Sequence, residues 1–222
     1  MANVFVTGGS GYLGSRLIAQ LLSRGHTVSG LARAASAPKL PQGTRVVLGD
    51  PLVIDSFRDA VRGHDTFVHL VGVGRPAPWK AKQFRDIDLG SVKAALYAAQ
   101  RAGIKHFVYL SVAHPAPVMQ AYIDVRMECE ARLRVGKIPT TVLRPWYVLG
   151  PGRRWPTFLL PAYRLCEAIP VTRAFAFRLG LVEIEQMITT LTWAVEHPTD
   201  GWRVLQVPDI RRGRAEDEPH RG

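Results

Sequence analysis

Glycines recur at close spacing near the start of the chain, in the run Thr7-Gly8-Gly9-Ser10-Gly11-Tyr12-Leu13-Gly14. A short apolar strand is predicted before this run and an amphipathic helix after it, which is the context that gives such a turn its meaning. Gly8 would allow a tight turn, Gly11 would let a diphosphate approach the backbone, and Gly14 would let the helix pack closely on the sheet. Backbone amides and the positive end of the helix would then face the phosphates. We predict a dinucleotide site on this turn, and a glycine-rich turn without a ligand is the alternative.

A cation occupies the position that separates NAD sites from NADP sites. NAD sites place Asp or Glu about 20 residues after the glycine turn, where the carboxylate holds the ribose 2′-hydroxyl. Here Gly30-Leu31-Ala32 is followed by Arg33, with no carboxylate nearby. Because a guanidinium can clamp a 2′-phosphate, we predict that NADP(H) is preferred over NAD(H), with Lys39 as a second cation. The alternative is that Arg33 is an ordinary solvated surface residue.

The elements that must position these residues alternate between short β-branched runs and longer runs of helical period. Strands are predicted over residues 4–7, 27–32, 45–48, 66–71, 106–111, 140–143 and 203–207, and helices over 11–23, 52–61, 84–102, 121–135 and 183–195. Such alternation indicates a parallel sheet covered by helices on both faces. We therefore predict an α/β fold, a Rossmann-type doubly wound parallel sheet in one domain over residues 1–208, with a small C-terminal substrate-side lobe.

Two segments, 72–82 and 146–181, interrupt this alternation directly after predicted strands. The ligand crevice of an open α/β sheet lies beyond the carboxyl ends of its strands, so both segments belong on the substrate side. For the same reason we include Asp50, Val71 and Pro145, which end or follow predicted strands, among the candidate dinucleotide contacts. Asp50 followed by proline is also explained as a helix cap.

The segment 153–178 is rich in both arginine and large apolar residues. It contains five arginines and a single acid, Glu167, interleaved with aromatic side chains. Such a segment could cover a hydrophobic or anionic substrate, bind a protein partner, or rest on an anionic membrane surface. The alternative is an ordinary substrate lobe in which arginine stems pack over apolar side chains.

The net charge and the spacing of the cysteines limit the classes of function that fit the sequence. A net charge of +11 favours an anionic ligand such as nucleotide phosphates, and because no nucleic-acid-binding motif accompanies it, we predict no specific nucleic-acid partner. Cys129 and Cys166 lack metal or redox spacing, so we predict no metal site and a cytoplasmic protein with reduced thiols. No run reaches the roughly 18 apolar residues of a membrane span. The charged tail, residues 209–222, is predicted to be disordered.

Further motifs follow the glycine turn, namely Leu48-Gly49-Asp50, the runs 63–70 and 102–111, and Leu143-Arg144-Pro145 followed by Gly150-Pro151-Gly152. With these motifs, the sequence from Val4 to about Val207 resembles the short-chain dehydrogenase/reductase superfamily. It is most similar to extended and atypical members, including NAD-dependent epimerase/dehydratase-like proteins, NmrA-like proteins and relatives of a respiratory complex I accessory subunit. The resemblance implies a Rossmann fold that binds NAD(P)(H), and it does not identify a substrate.

In this superfamily a serine near the end of the fifth strand and a Tyr-x-x-x-Lys pair carry out the proton chemistry. The resemblance places Ser111 and Tyr122 at these positions and Arg126 where the lysine is expected. It implies an NADPH-dependent reductase or epimerase-like oxidoreductase, in which Ser111 positions a small carbonyl substrate, Tyr122 donates a proton and Arg126 supplies positive charge. Asp88 is a further candidate, as a proton relay. Because arginine is not a conservative replacement for this lysine, the alternative function is a non-catalytic NADP(H)-binding redox sensor or accessory subunit. For the residues themselves, the alternative is that Tyr122 only lines the pocket or packs and that Arg126 pairs with Glu130.

Overall fold

A computed structural model describes residues 1–151 and 179–213. The strands of its main sheet are β1 (Asn3–Thr7), β2 (Thr27–Ala32), β3 (Arg45–Leu48), β4 (Thr66–His69), β5 (His106–Leu110), β6 (Thr140–Arg144) and β9 (Trp202–Gln206). All seven are parallel, in the order β3-β2-β1-β4-β5-β6-β9. The order reverses direction between β1 and β4, which opens a crevice at their carboxyl ends. The predicted doubly wound Rossmann sheet is confirmed.

Helices cover both faces of this sheet. They are α1 (Gly14–Ser23), α2 (Ala81–Gln83), α3 (Gly90–Ala102), α4 (Gln120–Val135), α5 (Ile184–Glu196) and α6 (Val207–Arg212), and a π-helical turn, Phe84–Leu89, joins α2 to α3. Side chains alternate along each strand, so Val4 packs in a core with α1 and α5, whereas Phe5 packs in a second core with α3 and α4. In the second core the rings of Phe67 and Phe107 stack with their centroids 5.1 Å apart.

A second, two-stranded sheet lies beside the carboxyl end of β6. Its strands are β7 (Tyr147–Leu149) and β8 (Leu181–Glu183), which pair in parallel. The segment 153–178, for which a partner or membrane contact is one interpretation of the sequence, lies outside the described residues. In the described ranges, no helix has the length and apolar character needed to cross a bilayer.

Two predicted segments differ from the structure. The predicted helix 52–61 is instead two 3₁₀ turns, Ile54–Ser56 and Arg58–Val61. Only Phe57 and Val61 are buried there, which is too little apolar surface to stabilise so short a helix. The Ser56 hydroxyl also donates to backbone carbonyls, at 2.6 Å to that of Val53, and so competes with helical hydrogen bonds.

Residues 209–212, which belong to the tail predicted to be disordered, are instead helical. The chain continues from β9 into α6, where the Asp209 carboxylate accepts a hydrogen bond from the Gln206 amide at 2.8 Å. Ile210 is fully buried, and the Arg211 side chain donates to the Leu181 carbonyl at 2.9 Å. Burial of one apolar side chain and a capped helix end explain why these residues are ordered despite their charge. Residues 214–222 lie outside the described residues.

Candidate dinucleotide site and catalytic residues

The glycine turn between β1 and α1 has a geometry that requires glycine. Gly8 has φ +77°, and a Cβ there would lie 2.8 Å from the Leu70 carbonyl carbon. A Cβ on Gly14 would overlap the Gly8 carbonyl oxygen. The first turn of α1 has no acidic residue and no side-chain cap, so its positive end faces the crevice without a competing anion. The turn therefore leaves room and charge for a diphosphate.

Thr7, at the end of β1, lies beneath this turn and is fully buried. Its hydroxyl oxygen lies 2.8 Å from His69 Nδ1, and His69 Nε2 lies 3.2 Å from the Ser91 hydroxyl oxygen. Burial lowers the pKa of His69 to about 3, and the positive charge of Arg126 contributes to this shift. His69 is therefore neutral, and it ties β1 and β4 to α3. Thr7 supports the turn from below through this hydrogen-bond chain.

Two cavities meet above the turn. The larger, about 530 Å³, is lined on one side by Arg33, Ser36, Lys39, Asp50 and Val71. The smaller, about 290 Å³, is lined by residues that include Tyr12, Leu13, Gly14, Ser111, Tyr122, Arg126 and Pro145. Both cavities include Gly8, Leu70, Gly72, Val73 and Gly74 in their walls. The structure thus brings the predicted catalytic residues to one end of a continuous depression, next to Tyr12, Leu13, Gly14 and Pro145, and places Arg33, Asp50 and Val71 at the other end.

Arg33 and Asp50, which both line the larger cavity, differ in whether their side chains have hydrogen-bond partners. The Arg33 side chain is exposed and forms no hydrogen bond or ion pair with any residue of the described chain. The Asp50 carboxylate, by contrast, accepts a hydrogen bond from the Leu52 amide at 2.9 Å. Asp50 therefore caps the following turn, as one reading of the sequence predicts.

Arg126 is held in a buried network on the wall of the smaller cavity. Its guanidinium forms an ion pair with Asp88 at 2.6 Å, and both side chains are almost fully buried. It also donates to the Tyr109 hydroxyl at 3.1 Å and to the Leu110 carbonyl at 2.8 Å. The other Asp88 oxygen accepts the Val73 amide at 3.0 Å. Asp88 therefore balances the charge of Arg126 and fixes the loop that follows β4.

Tyr122 lies one helical turn before Arg126 on α4. The Arg126 guanidinium carbon is 5.1 Å from the centroid of the Tyr122 ring, and the centroid of the Phe84 ring is 4.9 Å from it. Burial raises the pKa of the Tyr122 phenol above its ordinary value, and the Arg126 charge only partly opposes this rise. Tyr122 is therefore a protonated phenol at neutral pH.

Ser111 makes its hydrogen bond to a residue that the sequence motifs did not identify. Its hydroxyl donates to the Glu130 carboxylate at 2.6 Å, and Arg144 pairs with the same carboxylate. His114 Nε2 lies 3.4 Å from it. Although burial acts in the opposite direction, hydrogen bonds from His114, Arg144 and Ser111 lower the pKa of Glu130 to about 2. Glu130 is therefore ionised and fixes the direction of the Ser111 hydroxyl.

The pairing of Arg126 with Glu130, which the sequence offered as an alternative to a catalytic role, is not formed. Each group has a stronger partner on another element, Asp88 for the arginine and Arg144 for the glutamate. Periodicity could have drawn attention to Glu130, because Tyr122, Arg126 and Glu130 are spaced by four residues on one helix face. Periodicity alone could not have shown that Ser111, directly after β5, and Arg144, on β6, reach Glu130.

A family model described as NAD(P)H-binding matches residues 8–152, which is more than half of the chain. The chain belongs to this NAD(P)H-binding family. Within it, the seven-stranded sheet and the motifs described above are those of the extended short-chain dehydrogenases/reductases.

Three known proteins illustrate the similarity. The 3 beta-hydroxysteroid dehydrogenase/Delta 5→4-isomerase of Mycobacterium tuberculosis is 36% identical over 119 residues, covering 50% of this chain and 32% of the relative. A 4-hydroxy-2-methyl-3-oxo-4-farnesyl-3,4-dihydroquinoline-1-oxide ketoreductase of Stigmatella aurantiaca is 28% identical over 168 residues, covering 66% of this chain and 50% of that protein. The solved structure of MoeE5 in complex with UDP-glucuronic acid and NAD superposes with a TM-score of 0.72 at 20% identity, over 92% of this chain and 76% of MoeE5. The chain thus spans about a third to a half of the length of these two curated relatives.

The residues of this family member fit a dinucleotide at the glycine turn. The close approaches at Gly8 and Gly14 leave a cradle that any side chain would fill, and no acidic side chain stands at the start of α1. The family model shows NAD(P) binding, and the geometry makes this turn the candidate site for it. Over residues 1–151 and 179–213, no group of three His, Cys, Asp or Glu side chains could hold a metal ion.

Proposed function

We propose that the chain binds NADP(H) in preference to NAD(H) and reduces a small carbonyl substrate, with Tyr122 as the proton donor. The observation that carries the proposal is the continuity of the two cavities, which share the walls around Gly8 and end at Arg33 on one side and at Tyr122 on the other. Residues of the larger cavity would hold the adenosine half of the dinucleotide, and those of the smaller cavity the nicotinamide half.

The NADP(H) preference rests on charge at one end of the larger cavity. Arg33 has no partner in the described chain, and Lys39 and Ser36 line the same wall. A guanidinium with free donors can form two hydrogen bonds to a phosphate group, whereas it gains little from a ribose hydroxyl. The cavity therefore favours a 2′-phosphate.

Thermal unfolding with each of NADP+, NADPH, NAD+ and NADH tests this preference directly. A ligand at 100 times its dissociation constant adds about 2.7 kcal/mol of stability. We expect a larger shift with NADP(H), and we expect Arg33→Glu to remove the difference between NADPH and NADH. Arg45→Glu makes the same charge change at the amino end of β3, away from the crevice, and should leave the difference intact. An unchanged preference in Arg33→Glu would show that another group selects the cofactor.

The proposed chemistry assigns a role to each residue of the smaller cavity. The nicotinamide, when bound, supplies the hydride. Tyr122 is protonated at neutral pH and so can donate its proton to the carbonyl oxygen as that oxygen gains charge. Arg126 places a fixed positive charge beside the phenol. Ser111 directs its hydrogen to Glu130, so it would not donate to the carbonyl oxygen as the resemblance implies, and it offers the substrate only an acceptor.

Turnover of Tyr122→Phe tests the catalytic part of the proposal. With a panel of small ketones and aldehydes, we expect NADPH oxidation by the natural chain and its loss in Tyr122→Phe, with the dinucleotide-induced stability shift retained. Tyr97→Phe, on the exposed face of α3, is the matched control. Equal turnover in the natural chain and in Tyr122→Phe would exclude Tyr122 as the donor.

One observation favours a second candidate, a non-catalytic NADP(H)-binding redox sensor or accessory subunit. Arg126 is committed to Asp88 and to the Leu110 carbonyl, so it is not free to reach a ribose as a lysine would be. Under this candidate the dinucleotide shifts stability, no panel substrate is turned over, and the NADP+ and NADPH complexes differ in hydrogen exchange near the crevice. Turnover that depends on Tyr122 would rule it out.

A further inference from the structure

The smaller cavity has an uneven distribution of charge. Among the described residues that line it, none is Asp or Glu, and the two cations are Arg75 and Arg126. The charge of Arg126 is balanced by Asp88 at 2.6 Å. Arg75 has no such partner, because its side chain forms no hydrogen bond or ion pair within residues 1–151 and 179–213. The cavity therefore presents one uncompensated positive charge.

The loop that carries Arg75 is fixed at two places. At its start the Val73 amide donates to the buried Asp88 carboxylate at 3.0 Å. Further on, the Lys80 ammonium donates to the carbonyls of Gly74 and Arg75 at 3.2 and 3.0 Å. Arg75 itself has φ +54°, a left-handed conformation that is uncommon for a residue with a side chain. These contacts hold Arg75 at the rim of the cavity.

The local charges around this rim are predominantly positive. Lys80 contacts only carbonyl oxygens, so it adds a second uncompensated charge beside Arg75. The next acidic groups along the chain, Asp86 and Asp88, are already paired with Lys82 and Arg126. Among the described residues, an anion at the rim would therefore meet attraction from two cations and no nearby free carboxylate.

Apart from Ser111 and the backbone of its glycines, the rest of the described cavity wall consists mainly of apolar and aromatic side chains. It includes Val73, Pro76, Val112, Trp146 and Val148, with Tyr122 among them. The cavity's volume of about 290 Å³, part of which the nicotinamide half of a bound dinucleotide would fill, leaves room only for a small substrate. Such a wall would bind a compact apolar body and leave a charged group at the rim.

We propose that Arg75 is a specificity-determining residue and that the substrate is a small apolar carbonyl compound bearing a carboxylate, which Arg75 binds at the rim. The reacting carbonyl in this inference rests on the proposed function. The contact between Arg75 and the carboxylate depends only on the cavity. A guanidinium and a carboxylate form paired charge-assisted hydrogen bonds. Lys80 supports the contact by holding the loop.

Matched probes test this assignment on the protein saturated with NADP+. Naphthalene-2-carboxylate and naphthalene-2-carboxamide share one shape and differ in charge, and their dissociation constants can be measured by calorimetry or by ligand-observed NMR. We expect the carboxylate to bind about tenfold more tightly than the amide, and Arg75→Gln to remove that ratio. Arg101→Gln, whose guanidinium lies over Tyr97 on the surface of α3, makes the same charge change and should keep the ratio.

The outcomes separate this inference from the proposed function. The stability shift with NADP+, measured on the same variants, reports the dinucleotide site and should be unchanged in Arg75→Gln. The inference is supported if Arg75→Gln loses the preference for the carboxylate probe and Arg101→Gln retains it. Equal binding of the two probes by the natural chain, no detectable carboxylate binding in the millimolar range, or an equal effect of Arg101→Gln would overturn it, whatever the result with NADP+.

Discussion

Replacing Asp88 by asparagine should destabilise the fold strongly, because it removes the only carboxylate that faces the buried Arg126 in the described chain. The Asp88 and Arg126 side chains are 0% and 5% exposed. Asparagine keeps an acceptor for the Val73 amide, so the main loss is electrostatic. Leaving a buried charge without its partner costs about 3–5 kcal/mol, and we expect Asp88→Asn to lower the free energy of unfolding by that amount.

Urea unfolding at neutral pH measures this change, and the same π-helical turn provides a matched control. Asp86 lies two residues earlier and pairs with Lys82 at 2.8 Å on the exposed surface. Exposed pairs of this kind contribute little, so Asp86→Asn should leave the unfolding midpoint almost unchanged. Both variants replace a carboxylate by an amide. The difference between their free energies of unfolding therefore reports the effect of burial.

A double variant tests whether the unpaired charge of Arg126 causes this loss of stability. In Asp88→Asn/Arg126→Met both charges are removed, and replacement of a buried ion pair by apolar groups is often close to neutral. We therefore expect the double variant to be more stable than Asp88→Asn alone. The reasoning would be refuted if Asp88→Asn cost no more than Asp86→Asn, or if removal of Arg126 gave no recovery.

Three further outcomes are expected. Gly14→Ala should abolish the stability shift with dinucleotides, because its Cβ would overlap the Gly8 carbonyl, whereas Gly201→Ala, with nothing within 4 Å, should retain the shift. Burial lowers the pKa of His69 to about 3 and of His106 to about 4 from the ordinary 6.5, so stability should fall as the pH drops below 6.5. Near pH 5.5 these two histidines should contribute about 2.5 kcal/mol per pH unit to the slope of the free energy of unfolding, measured with urea, because the unfolded chain binds nearly two more protons at them. Glu130→Gln should cost up to about 3 kcal/mol at neutral pH, because the folded pKa of Glu130 is about 2 against 4.5, and the difference should narrow as acid protonates the carboxylate between these values.

The alternation of residues along a strand and the spacing of glycines predicted those parts of the fold that depend on short stretches of sequence. Alternation in the first strand places Val4 and Phe5 on opposite faces, and the structure packs them in separate cores. The glycine spacing predicted a turn that needs glycine, and Gly8 has the positive φ that such a turn requires. The predicted strands agree with the observed ones to within two residues because their β-branched runs are short and clearly bounded.

The site could not be predicted to the same depth, since its contacts join residues distant in sequence. The spacing rule for helices favoured an Arg126–Glu130 pair, and both partners instead bind groups on other elements. Glu130 is 19 residues from Ser111 and 14 from Arg144, so no local window contains the cluster. Only the packing of α4 against β5 and β6 brings these groups together.

Asp88 determines how much of the Arg126 charge reaches Tyr122. A cation lowers the pKa of a nearby phenol only to the extent that no anion cancels it, and here a carboxylate lies 2.6 Å from the guanidinium. Burial therefore dominates, and the phenol keeps its proton at neutral pH. A protonated phenol can donate to a developing alkoxide but cannot remove a proton from an alcohol. Under the proposed function, the site is therefore suited to carbonyl reduction rather than to alcohol oxidation, in contrast to a site with an unpaired lysine four residues after the tyrosine.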